Sequence, residues 1–150
     1  TQGYSSAASD VYKRQLLRTT IKAQMLKALA FCVTGVLLFL IEQACSGRVA
    51  AIQQIVFIIG LSGVFFAMGL MVNSIYLSLV RKGSKQLMGF FLLCKLARFV
   101  VAVLLLVIYA LADGSNLLLF AINLLVIYLV EMVLSVIYYA RVERNTPKNQ

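Results

Sequence analysis

The sequence predicts an all-α integral membrane protein, with four transmembrane helices in an antiparallel bundle and both termini in the cytoplasm. Three observations lead there. Hydrophobic residues make up 62% of the 150 and charged residues 13%, against roughly 45–50% and about 25% in soluble domains; mean hydropathy is +0.94. A soluble domain this small cannot hide so much apolar surface, so a bilayer must be the solvent. Long apolar stretches then alternate with short polar clusters, and the basic residues gather at alternate clusters. One compact unit fits the length.

The first span runs from about Met25 to Ala44, has no charge between Ala28 and Ile41, and ends at Ser46-Gly47-Arg48. The second covers about 51–80, without a charged residue between Arg48 and Arg81, and Arg81-Lys82-Gly83-Ser84-Lys85-Gln86 ends it. The third spans about 87–112 and carries Lys95 and Arg98; Asp113-Gly114-Ser115-Asn116 is a turn by composition. The fourth spans about 117–140 and carries Asn123 and Glu131. Each reaches the roughly 20 residues needed to cross about 30 Å of hydrocarbon. The apolar positions are continuous rather than alternating, which excludes barrel strands and leaves helices to satisfy the backbone.

Orientation follows from the basic residues. Arg18, Lys22 and Lys27 flank the first span, Arg81, Lys82 and Lys85 fill the second loop, and Arg141, Arg144 and Lys148 lie in a basic tail at 141–150. The opposite loops hold only Arg48. The chain is therefore expected to be a multi-pass membrane protein with its basic flanks on the cytoplasmic side. Its net charge of +9 forms a collar against membrane lipids. A nucleic-acid surface would need a folded basic face with interleaved aromatics, and none is present.

Enzyme chemistry is disfavoured. The chain has no His, and neither a phosphate loop nor paired carboxylates appear. No cofactor or metal is expected. Cys32, Cys45 and Cys94 lack metal-ligand spacing; Cys32 and Cys94 read as small core residues, and Cys45 as the thiol near the outer surface. Gly60, Gly63 and Ala67 put small side chains along one helix face, which reads as close helix packing and makes a second copy of the chain a candidate partner.

Charge within the spans is the strongest functional clue, because an Arg, Lys or Asp at a helix centre costs about 2.5–3.5 kcal/mol on insertion scales. Arg98 and Glu131 lie equally far from the middle of the Gly114–Ser115 turn, at about 25 Å by helical rise. In an antiparallel pair they share a depth, and their charged groups are predicted to meet. Lys95 is one turn from Arg98 on the same face. Counted from the second loop, Asn73 falls opposite Cys94 and within a residue of Lys95. Asn73, Lys95, Arg98 and Glu131 are thus expected to form one polar cluster, while Asn123, Ser135 and Tyr138 mark a secondary polar face of the fourth helix turned into the bundle. Two readings stand. In one, Arg98 and Glu131 neutralise each other while Lys95 reaches the cytoplasmic headgroups. In the other, the surplus positive charge meets a partner's carboxylate or a permeating ion.

Residues Ser5 to Gln15 look like one reading frame of a transposon adaptor used in DNA sequencing libraries. Residues 1–15 are set aside as a non-native tail, followed by a cytoplasmic flank at 16–24 and the transmembrane domain at 25–140.

The chain also resembles the ATP synthase protein I family, small accessory proteins encoded with bacterial F-type ATP synthases. The likeness rests on four spans with cytoplasmic termini, on Met68-Gly69-Leu70-Met71-Val72-Asn73, on the charged run Phe91-Leu92-Leu93-Cys94-Lys95-Leu96-Ala97-Arg98-Phe99, and on Leu119 to Tyr128. It covers roughly residues 25–140 and is concentrated in 68–130. The resemblance implies a role in assembling the proteolipid c subunits into their ring, with ion or magnesium supply also suggested for the family. Glu131 lies outside the family pattern, so no role is carried over to it. The alternatives are a small four-helix ion or drug transporter using Glu131, and a four-span accessory protein linked to lipid or glycan.

Overall fold

In the computed structural model, residues 2–81 and 87–145 are described, and they form four helices: α1 Gln2–Ser46, α2 Arg48–Arg81, α3 Leu87–Ala112 and α4 Leu117–Asn145. All four are long and apolar enough to cross a membrane. The second loop with Lys82, Ser84 and Lys85, and the tail end with Lys148, lie outside the described residues.

The two described connections are built on glycine. Gly47 adopts φ +90°, and Ala51 N–H donates to its carbonyl at 3.2 Å, starting α2 at once. Gly114 adopts φ +62°, where a side chain would be strained, and its N–H donates to Tyr109 O at 3.2 Å, the carbonyl that Asp113 N–H also meets at 3.1 Å, which closes the end of α3. These turns lie together at one end of the bundle, and the start of α1 and the end of α4 lie at the other.

Helix α3 has the expected bounds, but two others run on. Helix α1 begins at Gln2 rather than near Met25, since nothing between the two breaks a helix and Pro147 is the only proline. The stretch set aside as a tail therefore continues the first helix, and Tyr12 and Leu16 pack near Tyr138 and Val142. Helix α4 continues to Asn145, with Val142 fully buried, so residues 141–145 are helix rather than tail.

Packing is uneven. Helices α2 and α4 form the centre; α1 packs on both of them, α3 packs on both of them, and among the described residues the backbones of α1 and α3 do not come together. An apolar core including Phe31, Leu38, Ile58, Phe65, Tyr109 and Ile127 fills the half towards the turns. An aromatic cluster of Tyr76, Phe91, Tyr138 and Tyr139 fills the other end, with the Phe91 and Tyr139 rings 4.6 Å apart. Gly60, Gly63 and Ala67 do not serve packing within the chain. They are exposed, and a Cβ on either glycine would meet nothing within 4 Å. Cys32 likewise faces outward rather than into the core, and Cys94 is half-buried.

Candidate functional site: a four-helix ionic node

Glu131, fully buried on α4, organises the polar interior. Its Oε1 accepts from Lys27 Nζ of α1 at 3.0 Å and from Ser135 Oγ, one turn along α4, at 2.9 Å. Arg98 of α3 brings Nη2 to 3.2 Å from the same oxygen and donates through Nη1 to Ser135 Oγ at 2.9 Å. Lys27 Nζ also reaches Ser135 Oγ at 3.3 Å. The two outer helices, whose backbones stay apart, are therefore tied through one carboxylate between them. The equal-depth count for Arg98 and Glu131 corresponds to this contact.

Helix α2 contributes space. A Cβ on Gly69 would lie 2.9 Å from Glu131 Oε1 and 3.2 Å from Lys27 Nζ, so the missing side chain leaves the room that the ion pair occupies. The node holds two cations against one carboxylate, all nine-tenths or more buried. Arg98 Nε and Glu131 Oε2 are left without hydrogen-bond partners. Surplus buried positive charge is costly, and a counter-charge relieves it.

Two of the four expected cluster members stand apart. Lys95 is exposed rather than joined to the node. Three residues turn a helix by about 300°, so its side chain leaves at about 60° to that of Arg98, and α3 packs too thinly to cover it. Asn73 is buried one turn beyond Gly69, but its side-chain oxygen and nitrogen have no hydrogen-bond partner, so it neighbours the node without bonding to it.

The secondary face is buried as expected, but it divides into separate layers. Ser135 belongs to the node. Tyr138 shares a 3.1 Å hydrogen bond with Thr20 of α1. Asn123 lies towards the turns and donates to Glu42 Oε1 at 2.6 Å.

Sequence reasoning assigned Lys27 to the flank and missed Glu42. The signal available for Lys27 was depth: it lies 20 residues before Gly47, about 30 Å along the helix, and Gly69 lies at nearly the same distance after it. That register would have placed Lys27 beside a gap on α2.

A small pocket lined by Phe91, Lys95, Arg98, Ser135 and Tyr139 sits between α3 and α4. Towards the turns, an apolar groove of about 310 Å³ runs between the same helices past Phe99, Ala102, Leu106, Leu124 and Tyr128. The apolar groove and the pocket that holds the cations thus lie along the same pair of helices. Comparison of the chain with protein-family models, curated proteins and solved structures finds no match.

Proposed function

We propose that this chain is a non-catalytic accessory protein of a bacterial inner membrane that assists assembly of the c-ring of an F-type ATP synthase, with both termini cytoplasmic. The resemblance across residues 68–130 supplies the class of partner. The observation that carries the chemistry is the node's positive surplus, with Arg98 unsaturated at Nε and lining the small pocket between α3 and α4, on the same helix pair as the apolar groove. An unassembled c subunit is a helical hairpin with a buried carboxylate that needs shielding. A helix lying in this groove would bury apolar surface against α3 and α4 and bring a carboxylate to Arg98, where a charge-assisted hydrogen bond is roughly twice as strong as a neutral one. Lys95, exposed at the rim, adds attraction.

The transporter alternative requires Glu131 to release and rebind an ion. Two donors on its Oε1, Lys27 and Ser135, and the Arg98 guanidinium 3.2 Å from it oppose that, since an arriving cation would be repelled by two buried positive charges.

The test is co-purification with c subunits after mild detergent extraction. The wild-type chain is expected to retain them, and Arg98→Gln to lose them several-fold while still eluting as a monodisperse species. Deleting the gene should lower the yield of intact ring without changing the turnover of rings that form. Wild-type eluates free of c subunits, together with normal ring yield in the deletion, would overturn the proposal.

A further inference from the structure

A second polar layer crosses the bundle near the two glycine turns. Glu42 of α1 is 5% exposed, and Gln54 of α2 and Asn123 of α4 are fully buried. Asn123 Nδ2 donates to Glu42 Oε1 at 2.6 Å, and Gln54 Nε2 donates to Tyr109 Oη at 3.2 Å. The Tyr109 ring stacks at 4.0 Å on Phe120, one turn before Asn123, which places both hydrogen bonds in one layer.

Three buried oxygens remain in this layer without a hydrogen-bond partner: Glu42 Oε2, Gln54 Oε1 and Asn123 Oδ1. All three are acceptors, and no cationic side chain forms an ion pair with Glu42 among the described residues. Lys27 is 15 residues away, about 22 Å along α1. Arg48 and Asp113, at the turns, are exposed. An ionised carboxylate buried without a counter-charge is expensive, and each unmatched acceptor adds to the cost.

We infer that Glu42, Gln54 and Asn123 form a binding site for a small monovalent cation. A carboxylate and two amide carbonyls are hard oxygen donors, the ligand type that suits weakly polarisable cations. One negative charge matches one positive charge, whereas a divalent ion would leave a surplus in a site holding a single anion. With the cation bound, the three spare oxygens gain a partner and the layer becomes neutral. The site is distinct from the Glu131 node and does not depend on the assembly reading.

The experiment is thermal unfolding of the purified full chain in detergent at pH 8, in NaCl, LiCl or KCl against choline chloride at equal ionic strength. At least one alkali cation should raise the apparent Tm by about 5 °C or more at saturation, and equilibrium dialysis with radioactive sodium or rubidium should find one ion per chain. Glu42→Gln should lose both responses. Gln54→Leu, which leaves the carboxylate in place, should weaken binding several-fold while eluting as the wild type does. A wild-type protein indifferent to every alkali cation overturns the site, as does an equal response in Glu42→Gln. Stabilisation by acid alone, with no cation response, assigns the layer to a proton on Glu42 and also overturns it.

Discussion

Lys27 Nζ donates to Glu131 Oε1 at 3.0 Å across 104 residues of sequence, joining the first helix to the last deep inside the bundle. Because Arg98 meets the same oxygen from α3, the carboxylate fixes the register of two helices whose backbones do not approach each other. Removing one member of a buried ion pair strands the rest, at about 3–5 kcal/mol in soluble proteins, with snorkelling and local water reducing this in a bilayer.

Glu131→Gln should therefore lower stability towards SDS unfolding more than any single cation substitution, because it leaves two buried cations unpaired. Adding Lys27→Met should restore part of the loss. A double-mutant cycle should give a coupling of about 1–3 kcal/mol. Simple additivity of the two losses would show that the residues act independently.

Gly69 offers a steric test of the same node. A methyl group there would stand 2.9 Å from Glu131 Oε1, at the far end of flexible side chains, so Gly69→Ala should cost about 1–3 kcal/mol. Gly69→Val should cost more. Gly63→Ala, where a Cβ meets nothing, serves as the control and should be neutral or slightly stabilising through helix propensity. Unfolding midpoints of the three variants check this.

Much of the fold was legible because hydrocarbon thickness and helical rise leave few choices: four apolar runs of sufficient length predict four helices, and turn-centred counting predicts which residues share a depth. Arg98 and Glu131 were found in that way. Depth does not specify azimuth, and Lys95 fails on this point, sharing the level of the cluster but leaving α3 at an angle that nothing covers. Lys27 was missed for the opposite reason. A cation at the edge of an apolar run looks like a flank, and its burial against Glu131 shows it to be interior. Glu42, five residues from a turn, was hidden by the same assumption about span edges.

Asn123 and Glu42 should behave as a pair. Asn123→Leu removes the donor at 2.6 Å and leaves a buried carboxylate without a partner, which should cost about 1–3 kcal/mol or more. Combining it with Glu42→Leu replaces both partners by apolar groups, and much of the loss should return. The same SDS titration reads this; a double variant as unstable as Asn123→Leu alone would mean that the layer is held by something other than this hydrogen bond.

The proposed orientation has a test in the native cysteines. Cys45 is exposed and lies two residues before the Gly47 turn, on the side opposite the termini. Cys32 is also exposed, but it lies 15 residues from Gly47, about 22 Å along the helix. In a bilayer that depth is hydrocarbon, where a charged reagent does not enter. A membrane-impermeant maleimide added to spheroplasts should therefore label Cys45 and spare Cys32, with Cys32→Ser and Cys45→Ser variants assigning the signal. Labelling of Cys45 only after the membrane is broken would invert the orientation and place the termini outside. Equal labelling of Cys32 would show that α1 is bathed in water at that depth rather than in lipid.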